Sequence, residues 1–234
     1  MPNQTESPRW KAVLSDALAK FPRAVASDNF NRRCVDTVQL PEVRSHIFRE
    51  FVDGSSNARV LLVTSTDTRT PKVKQILSNS RVQVHWYIEG TKQQWRISGI
   101  AKVFGSPEAK NARTWDGEDS ETDWETKRLA IFKRLSSHMR ASWCRPPPGS
   151  LLTNPEEEMK KWPSRVDIPG EEPDDSDEEQ KKKNKENWDT AFSRFALVVI
   201  DSTGVDYLDM GIVPNRRWRF RREDGDWKET EIVA

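Results

Sequence analysis

Between Arg59 and Phe104 the sequence sets out a strand, a hydroxyl-rich turn carrying arginine and lysine, a short helix and two further strands. The turn reads Thr64-Ser65-Thr66-Asp67-Thr68-Arg69-Thr70-Pro71-Lys72-Val73-Lys74, and Val73, Ile76 and Leu77 follow at helical spacing. Thr70 suits the N-cap and Pro71 the first helical position, where a missing N–H is no loss. Lys72 and Lys74 then fall in the first turn, where the macrodipole disfavours cations while the free backbone N–H groups attract an anion. A bound anion reconciles the two. Hydroxyls of Thr66 and Thr70, with Lys72 and Arg69, would supply donors to a phosphate without a glycine-rich loop. The plain alternative for the same residues is a solvated polar turn.

The elements around this turn are mostly strands. Ser7 and Pro8 open a helix whose apolar residues Trp10, Val13, Leu14, Ala17, Leu18 and Phe21 keep helical spacing up to Pro22. Strand signals follow over Cys34 to Leu40, Val43 to Phe51, Arg59 to Thr64, Arg81 to Ile88 and Gln93 to Phe104. In the fourth of these, alternation points Val82, Val84, Trp86 and Ile88 to a core; in the fifth it points Trp95, Ile97, Gly99, Ala101 and Val103 there. Gln94 therefore projects from the polar face, where it could serve a ligand or simply meet solvent. Thr122 to Trp143 reads as mostly helical. Strands resume over Phe195 to Ile200, Val205 to Leu208, Arg217 to Arg222 and Trp227 to Val233. An antiparallel meander closing into a small barrel is the simplest arrangement.

With 234 residues and a formal net charge of +1, one domain is the default and no global field recruits nucleic acid or an anionic membrane. Any anion site must be local. Residues 154–190 carry Glu156-Glu157-Glu158, an acidic run from Glu171 to Glu179 and a lysine cluster from Lys181 to Lys185; they are expected to be a mobile low-complexity insertion that buries little. Cys34 and Cys144 lack metal or redox spacing, and the three histidines His46, His85 and His138 are scattered, which argues against a zinc site. The polar N-terminus and the short aliphatic run Ala196 to Ile200 imply no membrane span and a cytoplasmic location. Ten tryptophans are many for this length and are expected to fill a core or a subunit interface.

Pro41-Glu42-Val43-Arg44-Ser45-His46-Ile47-Phe48-Arg49, the turn from Thr64 to Lys72, and Gln94-Trp95-Arg96-Ile97-Ser98-Gly99 together resemble the pyridoxamine 5′-phosphate oxidase-like flavin-binding family. The similarity covers Trp10 to about Leu152 and resumes at Phe195. It implies an FMN-binding split β-barrel, mainly β with flanking helices, and a homodimer with FMN at the subunit interface. Arg44 and Arg49 match the basic residues bracketing a flavin-contacting strand, Arg49 standing where lysine is common. Thr66, Thr70 and Lys72 match the family's phosphate-gripping turn, and Gln94 matches a glutamine that hydrogen-bonds the flavin. The serines after Leu135, with Arg140, lie near a second flavin-contacting segment. Arg217 matches the last arginine of a C-terminal R-x-H-x-R motif.

Two departures bear on the substrate. Val213-Pro214-Asn215-Arg216-Arg217 lacks the first arginine and the histidine of that motif, and Leu208 stands where typical oxidases carry a tryptophan. The resemblance implies oxidation of a small, possibly phosphorylated molecule such as pyridoxamine or pyridoxine 5′-phosphate. Two other readings stay open at this point: an FMN-dependent reductase of another substrate, and a non-catalytic flavin-binding or interaction protein.

Overall fold

The computed structural model describes residues 7–20, 26–30, 42–54, 58–106 and 123–234. Its helices are α1 (Arg9–Lys20), α2 (Pro71–Ser78), α3 (Trp124–Lys133), α4 (Ser137–Ala141), α5 (Pro155–Met159) and α6 (Glu178–Arg194). Its strands are β1 (Ala26–Phe30), β2 (Glu42–His46), β3 (Phe48–Asp53), β4 (Val60–Asp67), β5 (Arg81–Ile88), β6 (Gln93–Phe104), β7 (Phe195–Asp209), β8 (Arg216–Glu223) and β9 (Asp226–Ile232). No helix among the described residues is long and apolar enough to cross a membrane.

All pairings are antiparallel, and the strands run β2-β1-β5-β6-β7-β4-β3 without closing, with β8 and β9 continuing from β7. The long strand β7 explains the split. Its first half pairs with β4 and its second half with β8, while β6 runs beside both halves. Sequence reading divides β7 in two because Asp201-Ser202-Thr203-Gly204 resembles a turn. In the structure the register shift between Ser98 and Gly99 absorbs Thr203, Ser202 Oγ donates to Val60 O at 2.8 Å, and Asp201 takes Arg59 and Arg222 as ion-pair partners.

Gly99 sits at that shift. A Cβ there would lie 2.6 Å from Asp201 O and 2.7 Å from Ile200 Cγ2. Gly99→Ala is expected to cost about 1–3 kcal/mol, measurable as a lower urea midpoint at unchanged slope. An unchanged midpoint would show that the two strands can part without loss.

The centre of the sheet is covered on both faces, which is why β4 and the start of β7 read as unbroken apolar runs. Val60, Leu62, Ala196, Val198 and Ile200 face one cluster with Trp10, Trp86 and Trp95 from α1, β5 and β6. Leu61, Val63, Phe195, Leu197 and Val199 face a second, built with Phe132 of α3, Trp143 and α6. Both clusters use the same two strands.

The charged segment 154–190 departs from expectation. It includes two helices, and α6 starts at a reciprocal capping box between Asp177 and Gln180. Val166 and Trp188 are buried in the second cluster, so the segment buries apolar surface instead of lying fully in solvent. Its charges occupy the remaining, exposed face. The stretch from Val43 to Phe51, read as one strand, is two: it breaks at Ile47, where the chain leaves β1 as partner and joins β4. Strand β1 was not anticipated, since Ala-Ser-Asp-Asn-Phe has no strand alternation. The expected strand from Cys34 to Leu40 lies outside the described residues.

Candidate active site

A cavity of about 570 Å³ opens where the β2–β3 break, the end of β4 and the start of α2 meet the segment from Met139 to Trp162. Arg49, Thr66, Thr70 and Lys72 line it, as do Ser65, Asp67 and His46. Four of the residues singled out from sequence thus converge.

Local geometry shows how each reaches the cavity. Phe48 pairs with Thr64 and Glu50 with Val63, so Arg49 is the extra residue of a β-bulge. The bulge re-aims its side chain, whose Nε donates to Ser65 Oγ at 3.0 Å. Burial, and then Arg134 nearby, lower the proton affinity of the Arg49 guanidinium. Among the described residues no carboxylate forms an ion pair with it. Thr70 is the residue before α2 and Pro71 the first of the helix, as the sequence requires, but the Thr70 hydroxyl does not cap the helix. It donates to Asp67 O at 2.8 Å and lies 3.3 Å from Thr66 Oγ1.

Among the described residues Asp67 is the single carboxylate on the lining, and Arg69 neutralises it. Arg69 Nε and Nη2 meet the two Asp67 oxygens at 3.0 and 2.6 Å. The same guanidinium donates to Arg145 O at 3.0 Å and Trp143 O at 3.3 Å, and Arg194 donates to Trp143 O at 2.9 Å. Two arginines therefore anchor the chain leading into Pro146-Pro147-Pro148, which walls the cavity. Arg69 is absent from the lining; its visible work is scaffolding. The Trp143 indole N–H lies 3.4 Å from Thr66 O, and the Arg145 guanidinium lies 5.6 Å from the centre of the Trp162 ring.

His46 is one of the lining residues that sequence reading passed over. It is 3% exposed, with Nδ1 3.0 Å from Thr64 Oγ1 and Nε2 3.3 Å from Lys72 Nζ. Its signal was available: it lies two residues from Arg44 on the same face of a strand. Burial, and secondarily the Lys72 ammonium, push the imidazole down from 6.5 to about 3. Between those values the unfolded chain binds the extra proton, so stability falls as pH falls through that window and this contribution is constant above it. His46→Gln is expected to flatten the decline in urea midpoint between about pH 6.5 and pH 5, above the main carboxylate range. A decline as steep as in the parent chain would contradict this.

The other expected residues lie elsewhere. Arg44 shares the β2 face of His46, but its guanidinium engages Glu42 and donates to Val43 O at 2.9 Å. Arg140 is buried and donates to Val166 O at 2.8 Å and Lys133 O at 3.0 Å, tying α4 to its surroundings. Gln94 and Arg217 form a separate cluster. Gln94 pairs with Leu208, and Leu208 with Arg217, so the three share one row on the outer face of β6, β7 and β8. Arg217 is held there by Asp206 through two contacts of 2.8 Å. Gln94 is oriented by Arg96, whose Nη2 and Nε lie 2.8 and 2.9 Å from the carboxamide oxygen.

Residues 7–105 match the sequence model of the pyridoxamine 5′-phosphate oxidase FMN-binding domain. This part of the chain is thus similar to the FMN-binding domains of the pyridoxamine 5′-phosphate oxidase-like family. Among solved structures, the chain is similar to a pyridoxamine 5′-phosphate oxidase-related, FMN-binding protein from Nostoc punctiforme. That match has a TM-score of 0.66 and 22% identity, and covers 98% of this chain and 100% of the other. It is also similar to PhzG from Burkholderia lata, solved with tetrahydrophenazine-1-carboxylic acid, with a TM-score of 0.56 and 16% identity over 100% of this chain and 97% of that one. At these identities what is shared is the fold. No curated protein sequence matches the chain. The matched stretch spans α1 to β6 and so contains the cavity-lining residues of β2, β3, β4 and α2. The wall from Met139 to Trp162 comes from beyond it.

Proposed function

We propose that the chain is an FMN-dependent oxidoreductase that grips the FMN phosphate between β3, the end of β4 and the start of α2. The observation that carries this reading is the convergence of Arg49, Thr66, Thr70 and Lys72 on one cavity inside the matched domain. With Ser65 added, the donor set fits a phosphate monoester: the cations Arg49 and Lys72 and the hydroxyls of Ser65, Thr66 and Thr70, with the lining carboxylate of Asp67 neutralised by Arg69. Lys72 and Arg49 would carry the charge, and Thr66 can exchange its contact with Thr70 for a phosphate oxygen. Trp143, Trp162 and the proline run offer apolar walls to the rest of the cofactor. Bound there, FMN would supply two-electron redox chemistry that none of the cavity's side chains offers. The chain's own part is to bind, orient and shield.

The row of Gln94, Leu208 and Arg217 lies outside this cavity, on an outer sheet face. We read it as the ring-side contribution of a second copy in a two-fold homodimer, with the Gln94 amide N–H₂ turned outward by Arg96. Retention of a phosphate-bearing flavin by the purified protein, released as FMN on denaturation, is the expected result. Colourless protein that takes up no added FMN contradicts the reading.

Pyridoxamine or pyridoxine 5′-phosphate is the first substrate to test. Val213, which is 97% exposed, and Asn215 stand where the family motif has its substrate-side arginine and histidine; this favours a second reading, reduction or oxidation of another small molecule. Anaerobic addition of pyridoxamine phosphate separates them. Loss of the visible flavin absorbance supports the first, and unchanged absorbance followed by loss on adding a reduced nicotinamide supports the second.

A further inference from the structure

His46 lines the cavity without belonging to the donor set assigned above. We propose that it is a positioning residue for Lys72: an uncharged acceptor that holds the ammonium where a phosphate can meet it. The inference rests on the reading of this cavity as a phosphate site.

The hydrogen-bond directions follow from chemistry. An ammonium can only donate, so the 3.3 Å contact with Lys72 Nζ puts a lone pair on His46 Nε2 and the hydrogen on Nδ1. Nδ1–H then donates to Thr64 Oγ1 at 3.0 Å, and the Thr64 hydroxyl points its own hydrogen at Val198 O, 3.5 Å away. The series Lys72, His46, Thr64, Val198 runs in one direction from α2 through β2 and β4 to the backbone of β7. Each donor fixes the next, and the last acceptor lies in the fully buried first part of β7.

The choice of residue matters for an anion site. A carboxylate at position 46 would hold Lys72 equally well but cancel its charge and compete with the phosphate. An apolar side chain would take this acceptor from an ammonium carried on a flexible four-carbon stem. A neutral imidazole avoids both costs. Burial, and then the Lys72 ammonium, oppose protonation of the imidazole, so the acceptor persists at neutral pH.

The competing explanation is that His46 merely fills space. Binding of FMN and of riboflavin, which lacks the phosphate, to flavin-free protein tells the two apart. His46→Phe is expected to weaken FMN about tenfold and to change riboflavin by less than about twofold. Adding it to Lys72→Met should cost nothing further, since its effect passes through Lys72. His46→Gln, which keeps an acceptor, should recover most of the loss. Thr64→Val, which removes the partner of Nδ1, should weaken FMN in the same selective way and serves if the phenylalanine variant does not fold. Equal losses for FMN and riboflavin, or the same loss with and without Lys72, overturn the positioning role. If the parent chain prefers FMN over riboflavin and His46→Phe keeps that preference in full, only the role of His46 falls. Absence of any preference in the parent chain overturns the phosphate site itself, and the His46 proposal with it.

Discussion

Alanine at both Arg49 and Lys72 is expected to weaken FMN binding by about a thousandfold, with each single change costing roughly ten- to a hundredfold. The estimate follows from charge-assisted hydrogen bonds, each worth about 1.5–3 kcal/mol where the phosphate is partly withdrawn from water. Arg49 lies on a bulge and Lys72 in the first turn of α2, so both losses fall on binding and little on the fold. Fluorescence titration with FMN measures the effect, and the urea midpoint controls for folding. Equal affinity for the parent chain and the double variant would remove the two cations from the site. Lys74, exposed one residue beyond Val73, is a suitable control: Lys74→Ala should change FMN affinity by less than about threefold.

Arg128→Ala is expected to lower folding stability by about 3–5 kcal/mol, the largest effect foreseen for a single change outside the cavity. Arg128 is 2% exposed; its Nη1 donates to Phe192 O and Phe195 O, both at 2.8 Å, and the guanidinium lies 3.7 Å from the centre of the Phe192 ring. Those carbonyls mark the end of α6 and the start of β7; truncation takes the guanidinium donor from both and leaves Phe192 O with the Phe195 N–H alone. The ion pair with Glu125 contributes less, because the glutamate side chain is 52% exposed. Glu125→Gln should therefore cost no more than about 1 kcal/mol. Comparable losses for both variants in urea denaturation would mean that the ion pair, and not the two carbonyls, holds the junction. The junction also concerns the site: Arg194, between the two carbonyls, donates to Trp143 O and accepts at its own carbonyl from Thr68 N at 2.9 Å. Loosening it should reach both walls of the cavity.

The sequence is informative where a single rule decides. In β5 and β6 one face is buried and alternation alone assigns it, so Val82, Trp86, Trp95 and Ile97 go where they are expected. Thr70-Pro71 starts α2 because both residues suit only the beginning of a helix. Rules fail where distant partners decide. Nothing local reveals that Arg49 occupies a bulge, or that Ile47 ends one pairing and begins another. Arg69 looks like a phosphate donor until Asp67, two residues earlier, and the carbonyls of Trp143 and Arg145 claim it. His46 acquires its meaning from Thr64 and Lys72, which no spacing rule connects to it.

The charged segment is a different kind of failure. Mean composition over residues 154–190 suggests little burial, because the apolar stripe of α6 begins only at Trp188 and continues past the segment to Ala191 and Phe192 at helical spacing. One apolar stripe suffices to dock a helix whose other faces are charged. The cofactor-side residues divide similarly: those of the phosphate end lie within one stretch of the matched domain and could be read together. Gln94 and Arg217 lie in a second cluster, whose relation to the first depends on the second copy.

The central claim is that this cavity recognises a flavin through its phosphate. Calorimetric titration of flavin-free protein with FMN and with riboflavin at neutral pH tests it most directly. The account predicts that FMN binds at least about a hundredfold more tightly, since the cations and hydroxyls of the cavity act only on the phosphate. Equal affinities for the two flavins would contradict it.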